Sequence, residues 1–192
     1  MNMLRCLLFG ALALSLPALA TATDQATPDK TQRHAAPNKP ASPLVDKVKR
    51  ATARFKDINV AIGEGWVPGT PCVSGPNSGA MGVHMILPAR VGDGLVDGDE
   101  PESMIYEPLS NGAMRLVGVE FIVLAADWAT NNPGGGAPSV DGHLMNYVGE
   151  PNRYGLPAFY ELHVWAWAHN PNGNFADWNT LVTCDKQPAP RP

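Results

Sequence analysis

The chain has 192 residues, of which 44% are hydrophobic and 17% are charged, and its formal net charge at pH 7 is −4. A slightly acidic chain lacks the basic surface with which proteins hold nucleic acid, so we exclude nucleic acid as a partner. The length suits one domain with its own core.

The first 22 residues have the pattern of a secretory signal peptide. Arg5 precedes an apolar run over 6–20, and small residues at its end suit a signal peptidase. Pro17 interrupts the run, which is shorter than the roughly 20 residues of a membrane-spanning helix. We therefore expect a periplasmic or secreted protein with no integral membrane segment after signal removal.

The composition divides the rest of the chain into three parts. Residues 23–42 are rich in Pro, Ala, Thr and Lys, with almost nothing large and apolar, which predicts a disordered linker. Residues 43–186 are predicted to form one domain, and 187–192 to form a disordered tail.

Two cysteines remain after signal removal, Cys72 and Cys184. Neither belongs to a CxxC motif, and in an oxidising compartment such a pair more often forms a disulfide than a metal or redox centre. The sequence therefore predicts a Cys72–Cys184 disulfide that encloses most of the domain.

One helix is predicted at the start of the domain. Ser42 and Pro43 are residue types typical of a helix cap and first turn, and Gly63 and Gly65 are expected to end the helix. Apolar residues recur between these limits at helical spacing: Leu44, Val48, Ala51, Phe55, Ile58 and Ile62.

Strands and long loops follow the helix. Asn111 and Gly112 give a turn signal between two of the strands. Because one helix precedes several strands without βαβ alternation, we predict an α+β fold, with the helix packed on an antiparallel sheet or small β-barrel. The predicted strands cover 80–87, 103–107, 113–124, 141–149 and 159–167.

Three of these strands carry ionisable side chains in apolar surroundings. His84 and Glu120 each lie in a separate strand, and Glu161 and His163 share the last one. Residues two apart face the same side of a strand, so Glu161 and His163 point the same way. Buried among large aromatic residues, they would be costly unless they pair, hydrogen-bond or bind a metal.

The pattern suggests a site for one divalent transition metal (Zn, Cu, Mn or Fe), with His84, Glu120, His163 and Glu161 as candidate ligands. Water on an open coordination position could act as a nucleophile or redox ligand. In the competing interpretation the histidines are hydrogen-bonded core residues, and Glu120 pairs with Arg115 or Arg153. Whether the protein is an enzyme, and on what substrate, stays open.

The alternative function is a non-enzymatic envelope module that binds a small ligand or a protein. Eight of the fourteen aromatic residues lie between Tyr147 and Trp178, and Trp165 and Trp167 are candidates to line a groove. His143 is a further candidate for ligand binding. Packing of the aromatic residues in the core explains the same pattern.

Several segments resemble a family of small exported bacterial proteins of unknown function. The most specific is NRYGLPAFYELHVWAW at 152–167 followed by NPNGNFADWN at 170–179. The resemblance covers about residues 48–184. It implies export and a shared fold, and it supplies no activity, substrate or catalytic residue.

Overall fold

The computed structural model describes residues 42–187. The predicted signal peptide, nearly all of the predicted linker and most of the predicted tail lie outside this part. Its helical elements are α1 (Pro43–Thr52), a 3₁₀ turn (Ala53–Lys56), α2 (Ile58–Gly63), α3 (Pro88–Val91) and α4 (Ala125–Asn131). Its strands are β1 (Val67–Pro68), β2 (Val73–Gly75), β3 (Gly79–Ile86), β4 (Ser103–Pro108), β5 (Met114–Leu124), β6 (Ser139–Val140), β7 (His143–Leu144), β8 (Asn146–Val148) and β9 (Phe159–Val164).

Seven strands form one antiparallel sheet in the order β1-β3-β4-β5-β9-β8, and β2 also pairs with β3. The separate hairpin β6-β7 completes the strands of the described region. The predicted mixture of helix and antiparallel sheet in one domain is confirmed. Of the two predicted alternatives, the antiparallel sheet is confirmed and the small β-barrel is wrong, because β1 and β8 at the two edges do not pair and the sheet stays open.

The prediction of one continuous N-terminal helix is also wrong. Helix α1 ends at Thr52, a 3₁₀ turn follows, and Asp57 is extended with φ −91° and ψ 109°. The Asp57 side chain accepts a hydrogen bond from the backbone N–H of Asn59 and so caps α2. A capping aspartate starts a new helix more readily than it continues an old one, and the apolar spacing alone concealed this break.

The helices and one face of the sheet enclose the main core. Leu44, Val48 and Phe55 are buried there against sheet residues that include Tyr106 and Phe121. The Tyr106 hydroxyl donates to the Phe55 carbonyl at 2.6 Å, which satisfies a buried polar group and joins the 3₁₀ turn to β4. Residues of this face alternate along each strand with residues of the opposite face.

The opposite face of the sheet is covered by the C-terminal segment. Ala80, Val117 and Trp165 pack there with Val182. Cys72 and Cys184 form the predicted disulfide, with Sγ atoms 2.09 Å apart and Cα atoms 5.6 Å apart. The disulfide therefore holds the C-terminal segment beside the loop that leads into β2.

Two strand predictions need correction. Residues 141–149 do not form one strand, because β7 pairs with β6 while β8 pairs with β9 at the edge of the large sheet. The aromatic strand ends at Val164, since the Trp165 N–H donates to the Asn174 carbonyl and leaves the ladder. Within residues 42–187, no helix has the length and apolarity needed to cross a bilayer.

Candidate metal centre

Strand pairing brings the ionisable residues to one face of the sheet. Glu120 on β5 lies directly opposite His163 on β9, and His84 on β3 is separated from β5 only by β4. Their neighbours in sequence, such as Met85, Val119 and Leu162, belong to the main core. Because side chains alternate along a strand, His84, Glu120 and His163 project to the opposite face.

The three side chains meet at the Glu120 carboxylate. His84 Nε2 lies 3.3 Å from Glu120 Oε2, and His163 Nε2 lies 3.9 Å from Glu120 Oε1. One potential ligand atom from each residue lies within 4.8 Å of the others. The exposed fractions are 4%, 5% and 1% for His84, Glu120 and His163. This buried group, which we call the inner group, could hold a metal ion.

The second nitrogens of the two imidazoles have different surroundings. His84 Nδ1 lies 3.0 Å from the Thr70 hydroxyl, within hydrogen-bond distance. His163 Nδ1 faces Glu161 Oε2 at 3.5 Å. Among the described residues, neither nitrogen of His163 has a hydrogen-bond partner, although both are buried. Buried polar atoms of native proteins are normally hydrogen-bonded, so an unpaired imidazole calls for a physical explanation.

A glycine allows two strands of the sheet to approach each other closely beside this cluster. Gly118 lies two residues before Glu120 on β5, and a Cβ at Gly118 would lie 2.7 Å from the Val164 carbonyl oxygen. Such a contact is too short for any side chain. The absence of a Cβ therefore lets β5 approach the end of β9, one residue beyond His163.

Three carboxyl groups gather here without a basic partner. Glu120 and Glu161 are near enough for each to shift the pKa of the other, and Asp177 offers a ligand atom within 4.8 Å of those of Glu161 and His163. Among the described residues, no lysine or arginine forms an ion pair with any of the three. The site is thus rich in carboxyl groups and has no basic side chain to balance their charge when they ionise.

The two arginines that the sequence offered as partners of Glu120 have other contacts. Arg115 pairs with Glu107. The Arg153 guanidinium lies over the Trp178 and Tyr154 rings, 5.7 and 5.9 Å from their centroids. These contacts weigh against the interpretation of Glu120 as half of a simple ion pair.

Burial shifts the pKa values of the histidines and glutamates in the site toward their uncharged forms. It lowers the pKa of His84 to about 4 and, together with the neighbouring His84, the pKa of His163 to about 3. It also raises the pKa of Glu120, which the neighbouring Glu161 raises further. The pKa of Glu161 is raised by burial as well. These directions are those of acidic and basic groups withdrawn from water without an opposite charge.

Three residues near the site were not predicted from the sequence. Thr70 contacts His84 from the loop before β2, and Asp177 comes from the loop after β9. Tyr154 is half-buried, and burial together with the charges of Glu161 and Glu120 raises its pKa to about 12. Loop residues carry no periodic pattern, so only the tertiary fold reveals their proximity.

The other predicted site residues lie in different surroundings. His143 on β7 packs on Phe175, with ring centroids 4.0 Å apart, and is not part of the inner group. Trp165 is 2% exposed, and its indole N–H donates to the Ala176 carbonyl. The Trp167 indole N–H donates to Thr52 Oγ1, and Lys56 covers its ring. These packing contacts weigh against a groove lined by the two tryptophans, and the ligand-binding roles stay predictions.

A further buried carboxyl, Glu102, gives a prediction about pH. The Glu102 Oε2 atom accepts a hydrogen bond from the Ile122 N–H at 2.9 Å, which favours the ionised carboxylate. Burial has the larger effect and raises the pKa of Glu102 from 4.5 to about 8. The folded state therefore holds a proton that the unfolded state releases. Its contribution to the free energy of unfolding is complete below pH 4.5 and is lost as pH rises through about 8.

We expect Glu102→Gln to remove this part of the pH dependence, because the amide keeps an acceptor oxygen and cannot ionise. Urea unfolding between pH 5 and 9 measures the effect, as a difference between variant and wild type that grows with pH. Glu100→Gln, at an exposed position, is the control and should follow the wild-type curve. Parallel curves for Glu102→Gln and wild type would contradict the assignment.

Comparison with known proteins gives no family for this chain: no family model matches it, and no curated protein or solved structure is significantly similar to it.

Proposed function

We propose that this protein binds one divalent transition metal through His84 Nε2, His163 Nε2 and the Glu120 carboxylate. The observation that carries the proposal is His163, which is 1% exposed and has no hydrogen-bond partner at either nitrogen among the described residues. An unsatisfied buried polar group costs about 1–3 kcal/mol. A metal ion at Nε2 supplies the missing partner and also neutralises the adjacent carboxylate.

The ligand set restricts the metal. Two imidazoles and one carboxylate suit Zn, Fe, Mn or Cu, whereas Ca²⁺ and Mg²⁺ prefer sites made of oxygen ligands. Thiolate ligation is excluded for Cys72 and Cys184, because both sulfurs are in the disulfide. The proposed ion is therefore a transition metal in a nitrogen and oxygen environment.

Thr70 supports the role of His84. A metal at Nε2 requires the proton of the imidazole to be at Nδ1, and that N–H can donate to the Thr70 hydroxyl 3.0 Å away. Metal-bound histidines commonly donate their second N–H in this way, which fixes the ring orientation and increases the basicity of the ligand.

Three protein ligands leave a coordination position for water. A metal ion bound to the inner group would lower the pKa of a water molecule at this position, or would act as a Lewis acid. At least 95% of the surface of each proposed ligand is covered, so this position is shielded from bulk solvent. We therefore propose metal binding as the function. We also propose a periplasmic or secreted location, which the Cys72–Cys184 disulfide supports, since such bonds persist in oxidising compartments.

The test is a metal titration of protein purified without a His tag and treated with a chelator. We expect Co²⁺ to produce visible absorption and Zn²⁺ to displace it. Zn²⁺ at about one hundred times its Kd should also raise the free energy of unfolding by about 2.7 kcal/mol.

Two variants and a control make the test specific. His84→Ala and Glu120→Gln each remove a proposed ligand, so each should weaken binding by more than the roughly 10–100-fold that changes in outer-shell residues cost. His143→Ala removes a histidine outside the inner group and should bind as wild type does. Equal binding by wild type and His84→Ala, or no binding by wild type, would overturn the proposal.

A further inference from the structure

His163 faces a second set of potential ligands with its other nitrogen. His163 Nδ1 lies 3.5 Å from Glu161 Oε2, and Glu161, His163 and Asp177 each offer a ligand atom within 4.8 Å of the others. We call these three residues the outer group. Asp177 is half-buried, so this group lies nearer to solvent than the inner group.

The sheet edge holds the outer group in place. Asn146 on β8 lies directly opposite Glu161 on β9, and its Nδ2 donates to Asp177 Oδ1 at 3.3 Å. This hydrogen bond positions the Asp177 carboxylate beside Glu161. The arrangement keeps two carboxyl groups together although no lysine or arginine pairs with either of them among the described residues.

The buried imidazole of His163 distinguishes the outer group from an ordinary cluster of acidic residues. Its Nδ1 is buried, faces Glu161 and has no hydrogen-bond partner among the described residues. At 3.5 Å, the distance to Glu161 exceeds the usual 2.7–3.2 Å of an N–H···O bond. A metal ion between them, at about 2.0–2.2 Å from each ligand, would need only small movements of the side chains.

We propose that His163 bridges two divalent cations, one in the inner group and a second one held by His163 Nδ1, Glu161 and Asp177. This inference rests on the proposed function of the inner group. Binding of the two cations displaces the remaining imidazole proton and any proton held by the three carboxyl groups, all of which leave to solvent, so that the ring bridges as imidazolate. Three carboxylates and one imidazolate carry four negative charges, which two divalent cations balance.

Ion counting by native mass spectrometry with Zn²⁺ as the probe tests this proposal. We expect two bound ions in the wild type and one in Asp177→Asn, because the amide removes a charged ligand of the outer group alone. Asp185→Asn, an exposed aspartate in the C-terminal segment, is the matched control and should keep two. Glu161→Gln provides a second variant, also expected to bind one ion, should Asp177→Asn fail to fold by circular dichroism.

Other ion counts show whether the outer site or the inner site is wrong. One ion in both the wild type and Asp177→Asn would overturn the outer site and leave the inner site standing, with Glu161 only orienting His163 through a hydrogen bond. Two ions in the wild type, Asp177→Asn and Glu161→Gln would place the second ion elsewhere and overturn the outer site as well. No bound ion in the wild type would overturn the function proposed for the inner group.

Discussion

Replacing His163 with leucine is expected to abolish metal binding and, at the same time, to stabilise the metal-free protein. Leucine is an apolar side chain of similar size to histidine, so it can fill the site without a large cavity. The substitution removes the two buried nitrogens of His163, which have no hydrogen-bond partner among the described residues. Since each such group costs about 1–3 kcal/mol, we expect a net gain of about 1–2 kcal/mol in the free energy of unfolding.

The gain is smaller than the sum of the two costs because His163 also makes favourable contacts. Its ring stacks on Trp165 with centroids 6.3 Å apart and meets the His84 ring edge-on at 5.8 Å. Leucine keeps the apolar part of these contacts and loses their aromatic part, which is worth about 0.5–1.5 kcal/mol.

Urea unfolding with and without Zn²⁺ separates the two effects. In chelator, His163→Leu should be more stable than the wild type, and Zn²⁺ should stabilise the wild type alone. His169→Leu changes an exposed histidine outside the site and should retain metal binding. Loss of more than about 2 kcal/mol in chelator would identify His163 as a structural core residue, and retained binding by His163→Leu would contradict its role as a ligand.

Removal of the disulfide is expected to have the largest effect on stability. Cys72 and Cys184 are 112 residues apart in sequence, and closing a loop of that length reduces the entropy of the unfolded chain by an amount worth about 5 kcal/mol in the chain-entropy model. For a domain of this size, such a loss corresponds to a fall of about 10–20 °C in melting temperature.

The measurement is calorimetry of the Cys72→Ser/Cys184→Ser double variant in the absence of reductant. Wild-type protein treated with reductant should give a similar melting temperature, while reductant should not affect the double variant. A fall of less than about 5 °C would show that the C-terminal segment is held by its packing against Ala80, Val117 and Trp165 rather than by the disulfide.

The strands of the sheet were largely predictable, because the central ones are short, nearly continuous apolar runs. Strands β3, β4 and β5 lie within one or two residues of the predicted limits. The far end of β9 was not predictable, since Trp165 is as apolar as its neighbours and leaves the ladder only because Asn174, nine residues later, accepts its N–H. The break at Asp57 was missed because helical spacing of apolar residues continues through it.

The sequence by itself determined the disulfide and the four candidate ligands of the proposed metal site. Only two cysteines follow the predicted signal peptide, and ionisable groups inside apolar strands are costly enough to stand out. Tertiary structure decided which ligands meet and what surrounds them. Strand order places His84 beside Glu120, and two loops bring Thr70 and Asp177 to the site. Strand pairing and loop packing join residues far apart in sequence, which local periodicity does not encode.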